Sequence, residues 1–117
     1  MGLDLICIFS EDRGHRLENL VFVELYRQGR EINYYSNNGH ECDFVVCDNQ
    51  KPELLIQVCE EVVTDNQDRE YGGLVAAMKE LQVDMGVILT MNQSDMACID
   101  GYSIETIPVW RWITESL

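Results

Sequence analysis

Apolar residues along this chain change their period several times, and each change marks an element. Over residues 11–28, Leu17, Leu20, Val21 and Leu25 recur at spacings of three and four, which predicts one helix. Ser10 or Asp12 can cap its start, and Gly29 stands where a terminating glycine belongs. Residues 31–36, with Ile32, Tyr34 and Tyr35, read as a strand, and Asn37-Asn38-Gly39 as a turn. Two apolar runs follow, Cys42-Asp43-Phe44-Val45-Val46-Cys47 and Leu54-Leu55-Ile56-Gln57-Val58-Cys59. Both are apolar on both faces, as strands covered on two sides are. Residues 48–52 between them read as a turn that includes Pro52, a residue unable to serve a central ladder.

The second half continues in the same manner. Thr64-Asp65-Asn66-Gln67 resembles a capping box, with threonine followed three residues on by glutamine. The helix beyond it, to about residue 82, carries Tyr71, Leu74, Val75, Met78 and Leu81 on one stripe. Gly72-Gly73 lowers its propensity, so close approach to a sheet is the expected use. Residues 85–91 form another buried strand. Residues 96–99 and 102–107 pair as short strands about Asp100-Gly101, a hairpin signal. Pro108 then opens a final helical turn carrying Trp110 and Trp112. The order predicts an α/β sandwich with a mixed central sheet flanked by helices, its first three strands a meander and its fourth reached by a helical crossover.

Polar residues interrupt the apolar runs at informative places. Asp43 lies inside the first run and Gln57 inside the second. A buried carboxylate is costly unless it is paired, hydrogen-bonded or holding a metal. Strict alternation puts Gln57 and Cys59 on one face, and Cys42 and Cys47 on opposite faces. Glu18 falls on the apolar stripe of the first helix with Val21, Phe22 and Leu25. The bland reading is a stripe-edge glutamate reaching water or an arginine. Glu24 is the weaker candidate of that helix.

An acid, a hairpin, then a two-residue-spaced pair on the next strand resembles the PD-(D/E)XK nuclease superfamily. Asp43 matches its first acid, and Gln57-Val58-Cys59 falls where Glu-x-Lys would stand. More narrowly, Gly14-His15-Arg16-Leu17-Glu18-Asn19-Leu20-Val21-Phe22 with Glu24-Leu25, residues 41–46, residues 55–59 and Ile107-Pro108-Val109-Trp110-Arg111-Trp112 resemble the nuclease-like C-terminal domain of bacterial and archaeal AAA-type ATPases. The resemblance implies a restriction-endonuclease-like fold over residues 14–117. It implies that residues 1–13, with Leu3, Leu5, Ile6, Ile8 and Phe9, are the tail of a preceding segment or a linker. It also implies a vestigial site of Glu18, Asp43, Gln57 and Cys59, with Glu18 and Asp43 as magnesium ligands in any active relative. ATP would belong only to a domain outside this chain, which has no G-x-x-x-x-G-K-[ST] loop.

The substitutions weigh against cleavage. Magnesium is held by oxygen ligands, usually with one or two carboxylates. Gln57 offers a neutral oxygen, and Cys59 replaces the cation that would stabilise the charge of the attacked phosphate. Glu60 points to the other face and Glu61 lies at the strand's end, so neither restores the set. Zinc is disfavoured because His40, Cys42 and Cys47 lack paired short spacings.

Composition sharpens this picture. The chain has 117 residues, 46% hydrophobic, enough for one core. Its 21 acids and 8 bases give a net charge of -13, which disfavours self-sufficient nucleic-acid binding. Five cysteines, three of them inside apolar runs, read as free thiols of a reducing cytoplasm. No run of about 18 apolar residues is present, and no secretory signal is visible. Trp110, Trp112, Tyr34 and Tyr35 could stack on bases; core packing or contact with a neighbouring domain is the preferred reading. The expectation is therefore a cytoplasmic, degenerate nuclease-like module of an AAA-type ATPase. Its partners are its own ATPase domain, a second copy, or DNA through an assembly, with no membrane. The alternative is a metal-dependent DNA nuclease with an altered site.

Overall fold

The computed structural model describes residues 13–37 and 39–115. The proposed caps Ser10 and Asp12 and the apolar positions of residues 1–9 lie outside them. The elements are α1 (Arg13–Arg27), β1 (Glu31–Asn37), β2 (His40–Asp48), β3 (Lys51–Val58), α2 (Thr64–Leu81), β4 (Met85–Thr90), β5 (Asp95–Ile99), β6 (Tyr102–Pro108) and α3 (Val109–Glu115). The strands form one six-stranded sheet in the order β1-β2-β3-β4-β6-β5. β1 to β3 are an antiparallel meander, α2 carries the chain across to β4 parallel to β3, and β6 is parallel to β4. β5 closes the edge antiparallel to β6. The result is the expected α/β sandwich with a mixed sheet between helices.

Each face of the sheet has its own core. Against α2 pack Cys42, Val45, Leu55, Leu74, Met78 and Ile88. Against α1 and α3 pack Leu17, Val21, Leu25, Phe44, Ile56 and Val87. β3 and β4 feed both cores by alternation, so their sequences are apolar on both faces.

Helix ends follow local rules, with two departures. α1 closes on Gly29, whose φ is 74°, while Gly29 N donates to Tyr26 O and Arg30 N to Leu25 O. Gly29 is thus the expected terminating glycine, and the two bonds make it a doubly bonded cap. The expected capping box of α2 is displaced: Val63 is the cap, and Asn66 Oδ1, not Gln67, accepts from Val63 N at 2.8 Å. On α1 the expected inner stripe holds for Leu17, Val21 and Leu25, but Leu20 and Phe22 are exposed.

Two irregularities correct the strand expectations. The β2–β3 turn is only Asn49-Gln50, with φ of 54° and 67°, and Pro52 lies inside β3 opposite Cys47. Proline is tolerated there because the register slips between Val46 and Cys47, and β4 begins its pairing only at Leu55, leaving Pro52 without a neighbour on that side. In β2, Asn33 pairs with Val45 but Tyr35 with Cys42, so Asp43 and Phe44 together face Tyr34. This bulge resets the alternation. Cys42 and Cys47 therefore reach the same core, on the α2 side, instead of opposite faces.

Of the paired glycines, Gly73 makes the close approach. A Cβ there would lie 2.8 Å from Glu41 O, whereas a Cβ at Gly72 meets nothing within 4 Å. Gly73→Ala is therefore expected to lower unfolding stability by roughly 1–3 kcal/mol, since backbone must move. Gly72→Ala should raise it by about 0.5–1 kcal/mol through helix propensity. Urea unfolding of the two variants checks this; equal effects would show that α2 does not rest on β2 at Gly73.

Candidate functional site

The bulge in β2 opens a fork. Regular β2–β3 pairing stops at Phe44 opposite Ile56. Beyond it, side chains replace the ladder. Asp43 N donates to Gln57 Oε1 at 2.9 Å, and Gln57 Nε2 donates to Glu41 O at 3.3 Å. In return, Val58 N donates to Asp43 Oδ2 at 2.8 Å. The Gln57 amide acts as an inserted peptide group, with its acceptor facing one backbone donor and its donor facing one backbone acceptor. The two backbone groups fix which end of the amide is oxygen.

A cavity of about 560 Å³ opens at this fork. Asp43, Gln57 and Val58 form its sheet side, Glu18 comes from α1, and Asp68, Arg69, Glu70 and Gly73 come from α2. The hairpin residues Gly39, His40 and Glu41 complete the rim. Three of the four expected site residues thus line one cavity. Cys59 does not line it: it is buried in the α2-side core, its Sγ donating to Glu61 O at 3.1 Å and accepting from Asn66 Nδ2 at 3.4 Å. Burial and then the nearby Glu70 carboxylate push the Cys59 thiol up, away from a reactive thiolate.

Glu70 and Arg69 are the residues the sequence reading missed. Glu70 is buried, and Arg69 Nη2 lies 3.2 Å from its Oε2. The available signal was its position: Glu70 stands four residues before Leu74 on the inner side of α2, the criterion that singled out Glu18. Glu24, the weaker candidate of α1, is also buried but turns to its own helix. Arg27 and Gln28 donate to it at 2.5 Å and 2.8 Å, and the Arg27 hydrogen bond holds its carboxyl below the usual range. Glu60 and Glu61 line a separate depression with Met91, Asn92 and Gln93.

The zinc candidates do not converge. Cys42 Sγ donates to Phe44 O and Ile56 O, and burial pushes its thiol up to about 12, while His40 sits exposed at the cavity rim. Of the aromatic candidates, Trp112 packs on the α1-side core and Tyr35 OH donates to Glu80 Oε1. Trp110 and Tyr34 are exposed.

Burial dominates the electrostatics of Asp43. It pushes the carboxyl up to about 7, against the lowering hydrogen bond from Val58 N and with further upward pressure from Glu18, Glu70 and Glu41. The donor set fits magnesium poorly. Gln57 has both ends of its amide engaged by backbone, and one Asp43 oxygen already serves Val58 N. Of the expected ligands, Glu18 of α1 and Asp43 of β2 line the cavity, together with Glu41, Asp68 and Glu70. Among the described residues no group of three or more His, Cys, Asp or Glu is disposed to hold a metal ion.

No family model matches the chain. The chain is similar to an uncharacterized protein of Methanocaldococcus jannaschii, 35% identical over 114 residues, which covers 89% of this chain. It spans only about a quarter, 25%, of that relative's length.

The raised Asp43 pKa has a definite sign for stability. An unfolded aspartate releases its proton near pH 4, whereas folded Asp43 keeps it to about 7. Between those values the native state binds more protons, so this group's contribution to stability falls as pH rises. Asp43→Asn keeps an oxygen for Val58 N and has no charge. Relative to wild type, its unfolding free energy should gain on the order of 3–4 kcal/mol between pH 4 and pH 8. Urea titrations at the two pH values read the difference, and parallel curves would contradict the assignment.

Proposed function

We propose that this chain is a degenerate nuclease-like module of an AAA-type ATPase that acts through protein interaction or in a DNA-related assembly, and does not itself cleave DNA. One observation carries the reading: Gln57, at the place of the second motif acid, is a structural amide that ties β2 to β3. A glutamate there could not donate to Glu41 O and would add charge beside Asp43. The lysine position is filled by Cys59, whose thiol turns away from the cavity. The net charge of -13 adds long-range repulsion of phosphate.

The partners follow from the same reading. The module's own ATPase domain lies elsewhere in a longer polypeptide, and ATP belongs to that domain. DNA is reached only through the assembly. The compartment is the cytoplasm, in keeping with four described cysteines that are free. Among the described residues no helix is long and apolar enough to cross a membrane.

A second reading, a metal-dependent nuclease with an altered site, has one observation in its favour. Glu70 adds a buried carboxylate to a cavity also lined by Glu18, Glu41, Asp43 and Asp68. Gel assays with magnesium and manganese on linear, branched and single-stranded DNA separate the two. The proposal expects intact substrate in every lane. Cleavage that vanishes in Asp43→Ala and in Glu70→Gln would establish the second reading instead.

A further inference from the structure

A second cavity, of about 320 Å³, opens on the α2 side of the sheet and shares no lining residue with the Asp43 cavity. It lies where the chain leaves β3 and β4, at the carboxyl end of these parallel strands. That is the end at which α/β sheets form ligand crevices. Two hydroxyls in its wall have no use inside the protein. Tyr71 of α2 is 9% exposed and Thr106 of β6 is 3% exposed. Among the described residues neither Tyr71 Oη nor Thr106 Oγ1 makes a hydrogen bond, and the one fully enclosed side-chain atom without a partner is Asn19 Nδ2. Both hydroxyls therefore open on the cavity that they line. Buried hydroxyls are normally bonded, so these two await water or a ligand.

The rim around them is already fixed. Gln93 Oε1 accepts from Val62 N at 2.7 Å, and Gln93 Nε2 donates to Val62 O at 2.9 Å. One amide thus fastens the loop after β4 to the connection between β3 and α2. The buried Thr90 hydroxyl ties the same loop again, donating to Gln93 O at 3.2 Å and accepting from Gln93 N at 3.0 Å. A rim held in this way loses little freedom when something binds. Ser94 and Asp95 continue the wall from this loop. Asp95 stands opposite Thr106 across the β5–β6 pair, and its Oδ1 accepts from Met96 N at 2.8 Å.

The lining selects charge. Among the described residues of this wall there is no lysine, arginine or histidine, and Asp95 is the acid. The net charge of -13 adds to the field. Anions are repelled, and a group made of N–H donors is favoured. The Asp95 carboxylate, the Gln67 amide oxygen and the hydroxyls of Tyr71, Ser94 and Thr106 can all accept. We infer that this cavity binds a small organic cation, an alkylguanidinium or alkylammonium group, with Asp95 as its counter-charge and Tyr71 and Thr106 as its acceptors. The site is independent of the nuclease-like reading, because it takes no residue from the Asp43 cavity.

Amide chemical shifts of the full chain, titrated with agmatine to about 10 mM, test it. Saturable shifts are expected at Val62, Tyr71, Ser94 and Thr106. Tyr71→Phe and Thr106→Val should each weaken binding by about 10-fold. Both should melt no lower than wild type, because the lost hydroxyls bond nothing in the protein. Asp95→Asn keeps Oδ1 for Met96 N and removes the counter-charge, so affinity should fall by about 3-fold or more and depend less on salt. Butylurea, which is neutral, should bind at least ~10-fold more weakly than agmatine. Blocked arginine amide presents the same group from a polypeptide. Tighter binding than agmatine assigns a protein side chain as the ligand, and weaker binding a free amine. The absence of saturable shifts overturns the proposal, as do shifts confined to the Asp43 cavity or undiminished in Tyr71→Phe and Thr106→Val. Butylurea binding as well as agmatine overturns the cation, and a marked loss of stability in Tyr71→Phe overturns the unbonded hydroxyl.

Discussion

The structure turns on three hydrogen bonds that the Gln57 amide and the Asp43 carboxylate make to backbone groups of Glu41, Asp43 and Val58 where β2 and β3 part. The bulge at Asp43 and Phe44 ends the ladder early, inside a sheet whose faces are both covered. Unpaired backbone groups at such a place would cost about 1–3 kcal/mol each. The Gln57 amide answers two of them and the Asp43 carboxylate a third. The fork can then stay open, and the cavity between α1 and α2 exists because it does. Gly73 completes the arrangement by letting α2 rest on Glu41 O, the carbonyl that Gln57 also serves.

Carboxylates from α1, β2 and α2 gather around one cavity. Position 57 offers it an amide already engaged by backbone, and position 59 a thiol bonded to Glu61 O. The acids then work on one another: Asp43, enclosed and surrounded by Glu18, Glu70 and Glu41, holds its proton to about 7. A site that must load a hard cation gains from charged, hydrated carboxylates, and burial without a counter-charge works against that.

Most of the fold was legible because periodicity and turn chemistry agree with it. The stripe of α2, the glycine cap of α1, the Asp100-Gly101 hairpin and the helical crossover all read directly from residue spacing. What could not be read were departures from strict period. A bulge leaves no mark in apolar spacing, so Cys42 and Cys47 were assigned to opposite faces when both reach the α2 side. Pro52 was excluded from β3 because proline is costly in a central ladder. The sheet position that admits it depends on where β4 begins, a tertiary fact. Within the site, Asp43, Gln57 and Glu18 stood out as polar residues on apolar runs. Glu70 meets the same criterion, but it stands beside Gly72-Gly73, a pair that signals packing and not chemistry. Cys59 was placed by alternation, yet β3 ends at Val58 and the thiol turns to Glu61 O.

Amide hydrogen exchange measured by NMR on wild type and Gln57→Ala probes the fork most directly. If Gln57 stands in for a strand, the Asp43 amide exchanges as slowly as the ladder amide of Phe44 in wild type, and at least ~10-fold faster in Gln57→Ala, in line with the loss of about one hydrogen bond. The Val58 amide, held by Asp43 Oδ2, should keep more of its protection. An Asp43 amide that exchanges freely in wild type, or is indifferent to Gln57→Ala, would contradict the structural role of Gln57 and leave its oxygen free for a cation.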